Sequence, residues 1–191
     1  MSVKKIVVLF SGEGTNLENI IKKLHKKVIN DCHIQLSGAV CNKENAKGID
    51  ICKNYNIPIK IIKHKEYISR EEFDKKVVEC ILSFDPDLTV LAGFMRILTP
   101  VFTRHIKAIN LHPSLLPLFK GANAIEKSFY SDMKVGGVSV HFVSNELDGG
   151  ETIAQKCFQK DDNMSLEEFK KKIKELEFEI LPQAIVKVLN D

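Results

Sequence analysis

Apolar runs alternate with helical patterns along the first half of the chain. Residues Ile6 to Phe10 are continuously apolar, and Ser11 and Gly12 bound this run. A helical face follows, formed by Leu17, Ile20, Ile21 and Leu24. Further strands are predicted at 34–40, 59–62 and 88–92, with a helix at 45–55 between the first two of these. Strands that alternate with helices in this way predict a parallel sheet.

Two later helices begin with a sequence typical of a capping box. Ser69 and Ser165 are each followed three residues later by a glutamate, as in a capping box, and then by apolar residues at helical spacing. Pro86 should end the first of these helices, and Pro182 should kink the second.

The second half of the chain also contains predicted strands. Strands are predicted at 108–111, 138–143 and 152–158, with a short helix at 124–130. A loop of large apolar side chains, Phe94 to Leu98, follows the strand at 88–92. One α/β domain over residues 1–191 is expected.

Composition excludes several classes of protein. The chain is 44% hydrophobic and 28% charged, with 28 basic and 25 acidic residues that are scattered rather than clustered, so no nucleic-acid partner is expected. The apolar run near the N-terminus is too short for a signal sequence or a membrane span, which predicts a cytoplasmic protein with no membrane partner. The five cysteines and six histidines form no ligand-spaced set, so no metal is expected.

The loop from Ser11 to Asn16 is a candidate anion site. It lies between a strand and a helix N-terminus, where free N–H groups and the helix dipole attract negative charge. A dinucleotide site is the competing interpretation, but Leu17 occupies the third glycine position of that fingerprint and no acidic residue ends the second strand. A monophosphate fits better. An ordinary tight turn remains possible from this segment alone.

Asn110, His112 and Asp148 are the candidate catalytic residues. Asn110 and His112 are two apart in a predicted strand, so both can face one cleft, where an amide donor and an imidazole suit acyl transfer. Asp148 precedes two glycines, and a carboxylate near the imidazole would favour its protonated form. A buried His–Asn pair and a plain turn aspartate are the simpler explanations, and the sequence cannot by itself bring Asp148 to His112.

Three segments, Ser11 to Asn16, Asn110 to Pro117 and Glu146 to Gly150, resemble in this order the glycinamide ribonucleotide formyltransferase family, and the resemblance runs from Lys5 to Pro182. Its narrower features are Gly14-Thr15-Asn16, the run from Leu91 to Leu98, and His112 to Pro117. The resemblance implies a Rossmann-like formyltransferase fold, with a mostly parallel central sheet, helices on both faces and an antiparallel C-terminal strand region. It also implies a phosphate-binding half at about 1–100 and a catalytic and folate half at about 101–191.

By this resemblance, the chain transfers a formyl group from 10-formyltetrahydrofolate, as co-substrate, to the amine of glycinamide ribonucleotide in purine biosynthesis. Asn110 would bind the formyl oxygen, His112 would be the acid and oxyanion partner, and Asp148 would support His112 and organise water. The ribonucleotide would contact Gly14, Thr15, Asn16, Lys174 and Glu177. The folate would contact Asn110, Asp148 and the following residues: Arg70, Met95, Arg96, Ile97, Leu98, Ser144, Asn145, Glu146 and Leu147. The sequence gives no expectation for an oligomeric state.

Some positions depart from the family pattern. Asparagine is common at the position of Glu13, and tyrosine at that of Leu181. Histidine is common at the positions of Asn123 and Phe178. Three other functions compete with formyl transfer to this amine. One is hydrolysis of the same formyl-folate by water, although that family does not match the Gly14-Thr15-Asn16 loop or Pro113. A second is formylation of a tRNA, which would need a further C-terminal domain, and the third is a catalytically silent nucleotide-binding module.

Overall fold

A single eight-stranded sheet organises the protein, for which a computed structural model describes residues 2–191. The strands are β1 Ser2–Phe10, β2 Lys27–Ile29, β3 Cys32–Cys41, β4 Ile59–Ile61, β5 Leu88–Leu91, β6 Ala108–His112, β7 Val135–Phe142 and β8 Thr152–Gln159. The helices are α1 Thr15–Leu24, α2 Gly48–Asn54, α3 Arg70–Leu82, α4 Pro100–Thr103, α5 Ala124–Phe129 and α6 Leu166–Asn190, with a 3-10 turn at His64–Glu66.

The strand order is β2-β3-β1-β5-β6-β7-β8, and β4 also pairs with β3. The strands β1, β3, β4, β5 and β6 pair in parallel, whereas β7 and β8 pair antiparallel at the C-terminal side. The predicted mostly parallel sheet with an antiparallel C-terminal region is therefore confirmed. The sequence interpretation missed β2, a three-residue strand antiparallel to β3, and the four-residue helix α4.

Helices cover both faces of the sheet, as predicted. Along β1, the side chains of Ile6, Val8 and Phe10 belong to the apolar core that includes residues of α1, α2 and α6. Val7 and Leu9 lie in the other core, with residues of α3 and α4. Successive side chains of a strand point to opposite faces, so a strand buried on both sides reads as one continuous apolar run.

Ser69 and Ser165 cap the N-termini of α3 and α6, as predicted, but the reciprocal half of the box is absent at α3, where Glu72 accepts from the Ile68 N–H instead. The Ser69 hydroxyl accepts from the Glu72 N–H at 3.1 Å, and the Ser165 hydroxyl accepts from the Glu168 N–H at 3.2 Å. Glu168 in turn accepts from the Ser165 N–H at 2.8 Å, so the box on α6 is complete. No helix within residues 2–191 is both long and apolar enough to span a membrane.

Pro182 lies inside α6, which continues to Asn190. A proline has no N–H, so the carbonyl of Phe178, four residues earlier, has no partner within the helix. Two side chains of α1 donate to this carbonyl instead: the Asn19 amide at 2.8 Å and the Lys23 ammonium at 2.8 Å. The proline thus supplies an attachment point between α6 and α1. A kink at Pro182 stays a prediction.

Candidate active site

Asp148 joins the two other predicted catalytic residues, which lie on β6. Its Oδ2 is 3.3 Å from Nδ1 of His112, and its Oδ1 accepts from Nδ2 of Asn110 at 3.4 Å. The backbone N–H of Gly121 also donates to Oδ2, at 2.8 Å. The structure therefore brings together the three residues that the sequence could not place beside one another.

The imidazole of His112 is buried between two hydrogen-bond acceptors. Its side chain is 6% exposed, with Nδ1 facing Asp148 and Nε2 at 3.0 Å from the carbonyl oxygen of Phe119. A neutral ring can donate to only one of these acceptors, whereas an imidazolium can donate to both. The contacts on both sides therefore fix the orientation of this ring.

The carboxyl of Asp148 is held ionised by its neighbours. Burial by itself would raise the pKa of this group, but three kinds of contact outweigh it. These are the neighbouring imidazole of His141 at 3.6 Å, the hydrogen bond from the Gly121 N–H at 2.8 Å, and the electrostatic attraction of His112. The pKa of Asp148 consequently lies below its ordinary value.

The predicted phosphate loop joins β1 to α1 through a left-handed glycine. Gly14 has φ of 74°, and a side chain there would place its Cβ 2.5 Å from Cα of Gly48. Both the backbone conformation and the close approach of the neighbouring helix require glycine. Glu13, which adds an acidic side chain next to this loop, pairs with Lys47 at 2.9 Å and is 66% exposed.

Asn16 connects this loop to α6. Its amide Nδ2 donates to Oε2 of Glu177 at 2.9 Å, and Lys174 donates to the same oxygen at 2.8 Å. Asn16 and Glu177 are each 8% exposed, and Oδ1 of Asn16 is buried without a partner. The structure thus brings together three of the residues that were predicted to hold the ribonucleotide, while Thr15 is exposed beside them.

The loop predicted to hold the folate follows β5. Its Met95 N–H donates to the hydroxyl of Ser11 at 2.7 Å, which links it to the phosphate loop. Met95 and Ile97 are 72% and 50% exposed, while the Arg96 guanidinium lies 5.6 Å from the ring centroid of Phe73. The loop therefore presents apolar side chains to solvent beside a partly buried positive charge.

A second predicted folate segment, residues 144–148, faces the loop that contains Lys120 and Gly121. Glu146 pairs with Lys120 at 2.6 Å, and Leu147, which is 47% exposed, lies beside Gly121. Asn145 accepts from the Thr103 hydroxyl, and the hydroxyl of Ser144 donates to the carbonyl of Glu146 at 3.1 Å.

Arg70 stands apart from the other predicted ligand-binding residues. It is exposed at the first turn of α3, and no hydrogen bond or ion pair within residues 2–191 joins it to them.

Comparison with known proteins identifies the chain. The family model described as formyl transferase matches residues 4–185. A phosphoribosylglycinamide formyltransferase from Haemophilus influenzae is 36% identical over 185 residues, which cover 96% of this chain and 86% of that protein. The chain belongs to the phosphoribosylglycinamide formyltransferase family.

Other members of the phosphoribosylglycinamide formyltransferase family agree with this assignment. The crystal structure of the Campylobacter jejuni protein is 57% identical and superposes with a TM-score of 0.96, covering 98% of each chain, which also confirms the predicted fold. The trifunctional purine biosynthetic protein adenosine-3 of Gallus gallus is 40% identical over 183 residues. Those residues cover 95% of this chain, which spans only 18% of that longer protein.

His141 is a site residue that the sequence interpretation of this formyltransferase missed. It pairs with Asn110 across β6 and β7, and its Nε2 lies 3.1 Å from Nδ2 of Asn110 and 3.6 Å from Oδ1 of Asp148. Its Nδ1 is 2.8 Å from the carbonyl of Phe142. The signal was the polar His141 in an apolar, alternating strand, but the register that places it opposite Asn110 is not visible in the sequence.

Within the described residues of this formyltransferase, no group of three His, Cys, Asp or Glu side chains is arranged to hold a metal ion.

Proposed function

We propose that this protein transfers the formyl group of 10-formyltetrahydrofolate to the amine of glycinamide ribonucleotide, giving formylglycinamide ribonucleotide and tetrahydrofolate in purine biosynthesis. The observation that carries the proposal is the convergence of Asn110, His112 and Asp148 at the end of β6. The names and near-full-length coverage of the bacterial relatives support it.

The ribonucleotide phosphate binds at the N-terminus of α1. The backbone N–H groups of the first turn have no partner within the helix, and they lie where the helix dipole is positive. Thr15 adds an exposed hydroxyl that can donate to the phosphate. Glu177, held by Asn16 and Lys174, accepts from the ribose hydroxyls. The Lys174 ammonium adds a positive charge that suits an anionic ligand.

The folate lies against Met95, Ile97, Leu98 and Leu147. A fused ring needs apolar walls with a few fixed polar groups, and three of these side chains are about half exposed or more although they are large and apolar. The backbone of residues 144–148 supplies the polar groups around the pterin. Arg96 and the exposed Arg70 give positive charge for the acidic tail of the folate.

Transfer is direct. The substrate amine attacks the formyl carbon, and the oxygen of that carbon becomes an oxyanion that the amide of Asn110 and protonated His112 stabilise. The hydrogen bond from Asn110 to Asp148, at 3.4 Å, is the weaker of the two that its amide makes, so it is the one that the formyl oxygen replaces. The bond from carbon to nitrogen 10 then breaks, and a proton from the amine passes to that nitrogen. An amine needs no covalent enzyme intermediate.

Glu13, the departure closest to the phosphate, is compatible with this function because its ion pair with Lys47 offsets its charge. The backbone carbonyl of Phe178 accepts hydrogen bonds from α1, and its side chain makes no polar contact to the ribonucleotide. Binding of the phosphate therefore depends on the loop at α1.

We further infer that the two halves of the chain have different functions, with ribonucleotide phosphate contacts within about 1–100 and catalysis and most folate contacts within about 101–191. A cytoplasmic protein that acts on small molecules, without a nucleic-acid partner, fits this reaction.

The test is a spectroscopic assay of tetrahydrofolate release from the formyl-folate, with and without glycinamide ribonucleotide. Folate release only when the amine is present is expected. Release in its absence, with free formate as the other product, would identify a hydrolase. Binding of ribonucleotide without turnover under either condition would identify a silent nucleotide-binding module.

A further inference from the structure

Asp74 on α3 is a fully buried carboxylate outside the residues assigned above. Its side chain is 0% exposed, and Oδ2 accepts from the backbone N–H of Thr99 at 2.5 Å. The other oxygen, Oδ1, is buried and has no hydrogen-bond partner. A buried charge is costly, and an apolar residue at this helical position would pack without that cost. The burial of this carboxylate is therefore best explained by the contact that it makes.

Asp74 fixes the C-terminal end of the loop that follows β5. Met95 is fixed at the start of this loop by Ser11, and Thr99 is fixed at its end by Asp74. The Thr99 hydroxyl also caps α4 by accepting from the Val101 N–H at 3.3 Å. The segment proposed to contact the folate is thus tied to the protein at both ends by buried side chains of other elements.

Arg96 lies between these two attachment points and is positioned over α3. Its guanidinium is 5.6 Å from the ring centroid of Phe73, which stacks on Phe94 with a centroid separation of 6.5 Å. The Nε atom of Arg96 is buried without a partner, so the backbone and the aromatic ring must fix this side chain. An anchored loop backbone is then the main determinant of where Arg96 lies.

The charges agree with this arrangement. Burial raises the pKa of Asp74, and the hydrogen bonds from Thr99 together with the positive charge of Arg96 act in the opposite direction, while Glu71 adds to the increase. Asp74 and Arg96 therefore stabilise each other's charged forms across the base of the loop.

We propose that Asp74 is a positioning residue for the formyl-folate: it fixes the loop at 94–99, and through it Arg96, in the geometry that binds the co-substrate. This inference rests on the proposed function, in which that loop contacts the folate. A role confined to stability would leave the relative affinities for the two substrates unchanged, whereas a positioning role weakens the folate side alone.

Two substitutions separate the parts of this role. Asp74→Asn keeps an oxygen that accepts from Thr99 and removes the charge that faces Arg96, whereas Asp74→Ala removes both. We expect Asp74→Ala to raise KM for the formyl-folate about tenfold or more, the effect of losing a hydrogen bond to a buried charged group. KM for the ribonucleotide and kcat at saturating folate should stay within about twofold. Asp74→Asn should give a smaller increase in the folate KM.

Asp87→Asn is the matched control. Its carboxylate also accepts from a backbone N–H, that of Lys5 at 2.8 Å, but it precedes β5 at the opposite end of the sheet from the loop. This variant should change neither KM. If Asp74→Ala lowered thermal stability but left the ratio of the two KM values as in the unmodified protein, Asp74 would be structural only and the proposal would be wrong.

Amide hydrogen exchange keeps this inference distinguishable from the proposed function. The probe is a folate analogue in which carbon replaces nitrogen 10, so that its formyl group cannot leave. In the unmodified protein, the analogue should protect the amides of 94–98, and lack of protection would overturn the proposed folate site. Asp74→Ala should accelerate exchange at 96–99 without ligand, and unchanged exchange there would overturn the anchoring role even if the analogue binds as proposed.

Discussion

His112 has acceptors on both sides, and this fixes how its ring can function. Asp148 at 3.3 Å from Nδ1 and the Phe119 carbonyl at 3.0 Å from Nε2 orient the ring. An oxyanion that binds at Nε2 would take the place of the Phe119 carbonyl, while Asp148 keeps the ring in its orientation, as in a preorganised site.

Replacing His112 with alanine should lower kcat by roughly a hundredfold to ten-thousandfold, the usual effect of removing a positioned acid or base. Asp148→Asn keeps the shape but removes the negative charge, so it should also be slow. Steady-state kinetics with both substrates measure these losses. The double variant should lose far less than the product of the single losses, since the pair acts as a unit. Losses that simply multiply would contradict a coupled pair.

Gly14 should be required for binding of the ribonucleotide but not for binding of the folate. Gly14→Ala forces a Cβ to within 2.5 Å of Gly48 at a φ of 74°, so the loop must shift and KM for the ribonucleotide should rise. Gly12→Ala is the matched control, because nothing lies within 4 Å of a Cβ at that position. Binding of the folate analogue should persist in both variants. Equal loss of both ligands in Gly14→Ala would indicate misfolding instead.

Among the secondary-structure elements, α1 and α6 are joined by a backbone carbonyl rather than by side chains alone. Pro182 frees the Phe178 carbonyl, and Asn19 and Lys23 of α1 donate to it. On the same two helices, Asn16 lies three residues before Asn19 and Glu177 directly precedes Phe178, and these two side chains meet at the proposed ribose site. The attachment at Phe178 therefore fixes the spacing of the helices where the ribonucleotide is proposed to bind.

Asn19→Ala should cost about 1 kcal/mol in the free energy of unfolding, the typical contribution of one hydrogen bond, with Lys23 still in place. KM for the ribonucleotide should rise in parallel, because the contact between Asn16 and Glu177 loosens. Urea unfolding and initial rates measure the two effects. Lys22→Ala on the same helix is the control. Within residues 2–191, the Lys22 ammonium pairs with Glu18 on the surface, at 2.6 Å, so its removal should change stability much less than Asn19→Ala does.

Across the whole molecule, the sheet determines which loops meet. The loops after β1, β5 and β6 all leave the same edge, because those strands are parallel, and the ligand sites of α/β sheets lie at that edge. The antiparallel strand β7 then adds His141 opposite Asn110 and returns the chain to Asp148. The site is therefore assembled by pairing between strands that are distant in the sequence.

The ionisation of Asp148 should contribute to the stability of the entire fold. Because its pKa is lower in the folded protein than in the unfolded chain, this contribution is complete above the unfolded value of about 4. It disappears as the pH falls through the lower folded value. The difference in unfolding free energy between the unmodified protein and Asp148→Asn should therefore be largest near pH 7 and shrink in acid, as urea titrations at each pH would measure. Asp50→Asn, on the exposed face of α2, controls for the loss of one charge. A difference that does not depend on pH would contradict the lowered pKa.

Much of the fold could be predicted from the sequence because its signals are local. The run from Ile6 to Phe10 indicated a strand buried on both faces, and Ser69 and Ser165 marked the starts of two helices through hydrogen bonds that span three residues. The strand β2 was missed, since its three residues begin with a lysine shortly after α1 and show no strand pattern, whereas the equally short β4 lies in an isoleucine-rich segment that the sequence shows.

The sequence by itself determined most of the elements and the fold class and named candidate site residues, because propensity, capping and motif spacing are properties of neighbouring residues. Only the tertiary structure decided that Asp148 and His141 meet His112 and Asn110, that Asn16 meets Glu177, and that Asp74 holds Thr99. Each of these contacts joins residues that are far apart in the chain or on separate elements. Their geometry depends on strand register and helix packing, which the whole core sets and no short segment encodes.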